Sequence, residues 1–169
     1  LADLISTLTP DTQEKVRTLI ALAEERYGYK VKVVSARRSC DEQAKIYAQG
    51  RTSPGKIVSN AKGCMSWHVL GRAVDLAFIY PNPTAADWDN LGEIGESLGF
   101  KWGKRFSGTL NDLPHFEYHP GVAIEQVCLN PDDCEGGVSQ SMGGSDPGID
   151  AWQAIAALSA GFIVGYLVI

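Results

Sequence analysis

Apolar residues recur at helical spacing between Asp11 and Tyr27, where Val16, Leu19, Ile20 and Ala23 share one face. Thr9-Pro10-Asp11 is a start signal and Gly28 a stop, so the first long element is an amphipathic helix. Val31-Lys32-Val33-Val34 reads as a strand and Asp41 to Gln49 as a short helix beginning beside Cys40. Val74 to Ile79 is an apolar, partly β-branched run, the pattern of a buried strand. Thr84 to Leu98 predicts a second long helix closing on Gly99, after which Phe100-Lys101-Trp102 leads into a strand or hairpin. In Pro114-His115-Phe116-Glu117-Tyr118 the alternation puts His115 and Glu117 on one face and Phe116 and Tyr118 on the other. Helices followed by clustered strands, without repeated strand-helix alternation or internal repeat, predict an α+β fold.

The pattern changes twice after Cys134. Residues 1–134 form the body, enough for a single core. Residues 135–150 are rich in Gly, Ser and Asp and read as a flexible linker. Residues 151–169 run for nineteen positions without a charge, with Gln153 and Ser159 the only clearly polar side chains. At about 1.5 Å per residue such a helix just reaches the ~30 Å of a bilayer core, so a C-terminal transmembrane anchor is expected. A core helix, or one packing on a partner chain through Ala156, Ser159-Ala160-Gly161 and Gly165, is the other reading. No basic residue flanks the run, so its orientation is open. The chain begins at Leu1 without a methionine, which suggests a removed leader or a trimmed chain.

Charge and cysteines narrow the setting. A net charge of −5 and the lack of a basic stripe argue against a nucleic-acid partner. Lys101, Lys104 and Arg105 form a local basic cluster that could face an anionic peptide or simply be a solvated loop. Cys128 and Cys134 bracket the turn-forming Asn-Pro-Asp-Asp, a short loop that closes readily into a disulfide. Cys40 and Cys64 flank two candidate walls of a site, and a bridge between them would staple those walls together. Four cysteines so placed suggest an oxidising compartment such as the periplasm, with free thiols in a cytosolic protein as the other reading.

The candidate chemistry lies in Ser66-Trp67-His68-Val69-Leu70-Gly71-Arg72-Ala73-Val74-Asp75 and in Asp112-Leu113-Pro114-His115-Phe116-Glu117. A catalytic Zn²⁺ usually takes three protein ligands and leaves a fourth place for a water whose pKa it lowers towards about 7. His68, on the loop entering a strand, with Asp75 and His115 on strands, would hold one such ion. Asp112, three residues before the last ligand, could be the general base or a loop aspartate beside Asn111. Cys64 is a rival ligand beside His68. Of the three histidines, His119 beside Pro120-Gly121 reads as a surface turn residue.

Several motifs in order carry a family resemblance. Ser35-Ala36-Arg37-Arg38-Ser39, Glu42-Gln43, Ile46-Tyr47-Ala48-Gln49-Gly50-Arg51, Pro54-Gly55-Lys56, Asn60-Ala61-Lys62-Gly63, the Ser-x-His-x-x-Gly-x-Ala-x-Asp block and Asp-x-Pro-His-Phe-Glu together resemble the M15 zinc peptidases. The nearest likeness is to the L-alanyl-D-glutamate endopeptidases of phage endolysins and bacterial autolysins, from about Thr9 to about Gly121. The resemblance implies a Hedgehog/DD-peptidase-like fold whose antiparallel sheet carries the zinc site between flanking helices. It implies His68, Asp75 and His115 as the ligands of one zinc ion, Asp112 as the base, and Arg38 as a donor to a substrate carboxylate or oxyanion. Gln43 and Ser66 match positions near the substrate pocket. It also argues against Cys64 as a ligand.

The resemblance implies a peptidoglycan stem peptide as substrate and a lytic or wall-remodelling role; the cysteines and the apolar run 151–169 give the expectation of a periplasmic or cell-envelope location. Departures fall around the pocket: Arg37 stands where the family usually has an aromatic residue, Val69 where asparagine is common, and Trp102-Gly103-Lys104-Arg105-Phe106 differs from the usual Trp-Gly-Gly-Asp-Trp-like sequence. They bear on which bond is cut, so a D-alanyl-D-alanine carboxypeptidase or dipeptidase is the alternative enzyme. A zinc-holding module without turnover, as in the related Hedgehog domains, is the alternative of another class. An intact Asp112 weighs against it, because a retired site has no need of a base.

Overall fold

The structure is a computed structural model that describes residues 3–107 and 111–127. Helix α1 (Pro10–Tyr27) has Pro10 at its first turn and ends on Gly28, whose φ of 69° is the left-handed conformation a helix stop favours. Strand β1 (Val31–Ser35) leads to helix α2 (Cys40–Ala48), which opens with a reciprocal capping box between Ser39 and Glu42. Strand β2 (Ala73–Phe78) precedes helix α3 (Ala85–Ser97), capped in the same way by Thr84 and Asp87. The short strands β3 (Lys101–Trp102) and β4 (His115–Glu117) follow, then a one-turn helix α4 (Ile124–Val127).

The strands form one sheet in the order β1-β2-β4-β3, every neighbouring pair antiparallel. The α+β class holds, but helices and strands alternate along the chain from α1 to β3, contrary to the expected succession. Antiparallel pairing is what keeps the fold out of the α/β class.

One sheet face is covered. Val31, Val74, Leu76, Phe78, Trp102 and Phe116 meet Val16, Leu19 and Ala23 of α1 and Leu91 and Ile94 of α3 in a single core. Helix α3 approaches closely because Gly92 and Gly95 lack side chains. A Cβ would lie 2.2 Å from the Trp102 ring at Gly92 and 2.6 Å from the Phe116 ring at Gly95. The opposite face carries the polar members of the alternating strands, and Arg38, His68 and His119 lie over it.

A register shift between Val33 and Ser35 matters for that polar face. Strict alternation would put Ser35 with Val31 and Val33 on the core side. The bulge sets Ser35 opposite Asp75 and leaves Val34 exposed.

The expected Cys40–Cys64 disulfide is present, with a Cα–Cα distance of 4.5 Å. The proposed Cys128–Cys134 bridge, the linker 135–150 and the apolar helix 151–169 lie outside the described residues. Among the described residues, no helix is long and apolar enough to cross a membrane. Lys104 is paired with Asp89 and Arg105 with Glu96 at 3.2 Å, so those two members of the basic cluster are tied to α3.

Candidate metal centre

Asp75 and His115 are directly opposed across the β2–β4 pair, so their side chains leave the sheet side by side on its polar face. His68 reaches the same point from the turn before β2, which closes with a Gly71 N–H to His68 carbonyl bond of 3.1 Å and a left-handed Gly71 at φ 67°. The His68 ring is 3% exposed, and its Nδ1 lies 2.7 Å from the Ala36 carbonyl. A carbonyl can only accept, so Nδ1 carries the proton and Nε2 presents its lone pair to the site.

Three donor atoms converge there. His68 Nε2 lies 3.2 Å from His115 Nδ1 and 3.2 Å from Asp75 Oδ1, and His115 Nδ1 lies 3.1 Å from Asp75 Oδ1. Ligands about 2.0–2.1 Å from a tetrahedral zinc are separated by about 3.3 Å, so the set fits that ion with little adjustment. Among the described residues, these three form the cluster able to hold a metal.

The electrostatics describe a nest awaiting a cation. Burial works to raise the Asp75 pKa, but hydrogen bonds and attraction from His115 and His68 outweigh it and hold the carboxyl far below its usual range. Burial works against a charged His115, yet Asp75 and Glu117 raise its pKa to about 9. Without metal, the imidazole therefore takes up a proton to balance the carboxylates. A metal ion would replace that proton.

Behind the donors stands a second set. Arg38 donates from Nη2 to Asp75 Oδ2 at 3.1 Å and to Ser35 Oγ at 2.8 Å, and from Nη1 to Gln43 Oε1 at 3.1 Å. Gln43 is fully buried and donates from Nε2 to Ser59 Oγ at 3.1 Å and to the Ala61 carbonyl at 2.8 Å. The structure thus puts Gln43 beneath Arg38, with its amide engaged inside the protein. Ser66, 6% exposed, accepts the Val69 N–H at its carbonyl in the turn that carries His68.

Asp112 is half-buried, within reach of the charges of His115, Asp75, His68 and Arg38. Burial raises its pKa, and the nearby Asp75 adds to the effect against the opposing pull of His115, His68 and Arg38. The Asp112 carbonyl accepts the His115 N–H at 3.2 Å, joining base and ligand in one turn. That turn lies against Gly103, where a Cβ would stand 2.3 Å from the Asp112 carbonyl oxygen and 3.0 Å from His115 Cβ.

His119 corrects the expectation of a surface turn residue. It is 5% exposed, its ring stacks on Trp67 at 3.9 Å between centroids and 6° between planes, and its Nε2 lies 2.8 Å from Glu117 Oε1. Glu117 in turn lies 3.3 Å from His115 Nε2 through Oε2. Burial pushes the Glu117 pKa up, but His115 and His119 together lower it to about 2. A sequence signal existed: His115, Glu117 and His119 continue one period-2 face.

Comparison with known proteins adds independent findings. The family model described as D-alanyl-D-alanine carboxypeptidase, of the M15 peptidases, matches residues 59–118, which span all three donors and Asp112. The peptidoglycan L-alanyl-D-glutamate endopeptidase CwlK of Bacillus subtilis (strain 168) is 34% identical over 131 residues, covering 68% of this chain and 75% of CwlK. Among solved structures, the LdcB LD-carboxypeptidase superposes with a TM-score of 0.52 at 21% identity, over 74% of this chain and 64% of that one. VanYB in complex with D-alanine-D-alanine gives 0.50 at 18% identity, over 72% and 82% of the two chains. At such identities the two structures show a shared fold.

Proposed function

This chain belongs to the M15 family of peptidases, and from that premise we propose that it cuts the stem peptide of peptidoglycan at the L-alanyl-D-glutamate bond. The observation that carries the reading is the convergence of His68, Asp75 and His115 beside Asp112, within the region related to CwlK. These three residues would hold one zinc ion, which supplies a Lewis acid and an acidified water.

The remaining chemistry belongs to the chain. The Asp112 carboxylate takes the proton of the attacking water and passes it to the leaving amine. Arg38 fixes Asp75 through Nη2. Those bonds to Gln43, Ser35 and Asp75 engage three of the five guanidinium N–H groups, and the Nη1 and Nε groups beyond them can meet a substrate oxygen. The Cys40–Cys64 disulfide supports placement in an oxidising compartment, the periplasm or cell envelope, and the apolar run 151–169 supports attachment to a membrane.

The test is digestion of purified peptidoglycan with and without a chelator and zinc add-back, reading new termini by mass spectrometry. Zinc-restored fragments with a new D-glutamate amino terminus are expected. Release of terminal D-alanine would move the activity to the carboxypeptidases, which the family description favours. Bound zinc without cleavage would refute a peptidase and leave a binding module.

A further inference from the structure

The polar face carries a chain of side chains that the proposed reaction does not use. From the metal-facing ligand it runs His115 Nε2 to Glu117 Oε2 at 3.3 Å, Glu117 Oε1 to His119 Nε2 at 2.8 Å, and His119 Nδ1 to the Val122 carbonyl at 3.0 Å. Each Glu117 oxygen thus meets one imidazole. The far end is immobilised twice, by the Val122 carbonyl and by the Trp67 ring stacked on His119. Trp67 is the residue before His68, so the clamp ties two metal ligands to each other from behind.

We infer that His119 is a positioning residue for the metal centre, acting through Glu117 on His115. This rests on the reading of His68, Asp75 and His115 as a zinc site. The reason His119 is needed lies on the neighbouring strand. Lys101 is the cross-strand partner of Glu117, and both line the same cavity together with Trp67 and His119. A glutamate free to rotate would have an ammonium to turn towards. His119 holds one oxygen, which leaves the other aimed at His115 Nε2. Losing that partner frees the ring orientation and basicity of the ligand, an effect typically worth about 10–100-fold in metal affinity.

The experiment measures zinc dissociation constants of the full chain by competition with a chromophoric chelator, alongside the visible spectrum of the cobalt(II)-substituted protein. The variants are His119→Phe, Glu117→Gln, the double variant, and His68→Ala as a control. His119→Phe keeps an aromatic ring for Trp67 but removes the bond to Glu117, and is expected to weaken zinc about tenfold and shift the cobalt bands. Because His119 acts through Glu117, the double variant should be no weaker than Glu117→Gln alone. Adding Lys101→Ala to His119→Phe should recover part of the affinity.

Affinity within twofold of the unsubstituted protein in folded His119→Phe, or full additivity in the double variant, overturns the inference. Lower thermal stability with unchanged zinc affinity and cobalt spectrum would mean that His119 is only a packing residue, and overturns it too. If His119→Phe does not fold, His119→Gln is read by the same criteria. Failure of the zinc-site reading itself is distinguishable, since the unsubstituted protein would then bind zinc no better than His68→Ala.

Discussion

Replacing Gly103 by alanine tests whether the base is held where catalysis needs it. Gly103 has no left-handed φ, so the substitution introduces a methyl group without straining the backbone. That methyl would lie 2.3 Å from the Asp112 carbonyl oxygen and 3.0 Å from His115 Cβ, against ordinary contacts of about 3.5 Å. The Asp112 oxygen belongs to the backbone, so relief requires the Asp112 turn to retreat by about 1 Å. A misplacement of about 1 Å in a catalytic group costs about 10²-fold in rate. Overpacking of this kind destabilises by about 1–3 kcal/mol, which leaves a testable folded protein. The assay is kcat on a purified muropeptide, with zinc affinity measured separately and folding checked by circular dichroism. Near-normal zinc affinity with kcat down about 100-fold is expected. A kcat within twofold of the unsubstituted enzyme would refute the argument. A loss of zinc affinity equal to the loss of kcat/KM would shift the blame from Asp112 to His115.

Three further outcomes follow from the same geometry. Asp112→Asn should retain zinc while kcat falls about 10²–10⁴-fold; in the intact enzyme, kcat/KM should decline on acidification as Asp112 takes up a proton, so a flat acidic limb would count against this base. Reducing the Cys40–Cys64 bridge, which spans a sequence separation of 24, should destabilise the fold by about 3.5 kcal/mol, seen as a drop in Tm on the order of 10 °C, and an unchanged Tm would contradict it. In the metal-free protein, His115, raised to about 9 from about 6.5, adds stability that is full below pH 6.5 and fades as pH rises through 9, while Asp75 and Glu117, both lowered, add stability above about pH 4.5 that is lost on acidification. The rise in Tm on adding zinc should therefore be larger at pH 8.5 than at pH 6, and calorimetry showing the reverse would sink this account.

Much of the site was legible from local pattern. A helix start, a capping box or a period-2 alternation depends on residues within a few positions of one another. That is why α1 with its Gly28 stop, β2 and the shared face of His115 and Glu117 could be read from the chain. The three donors were legible because their residue types and motif order are constrained by metal chemistry, and the Cys40–Cys64 pair because both cysteines flank those motifs.

What the chain alone left open depends on contacts between distant segments. The bulge at Val34 that turns Ser35 towards Asp75 arises in pairing with β2, and nothing in Val31–Ser35 announces it. The burial of Gln43 beneath Arg38 depends on Ser59 and Ala61 folding over α2. His119, beside Pro120 and Gly121, has the local signature of a surface turn. Its place is decided by the Trp67 ring and the Glu117 carboxylate, whose packing and charge outweigh that local preference once the sheet has formed. Local chemistry in the sequence determined which atoms could bind a metal, and tertiary packing decided which side chains hold those atoms still.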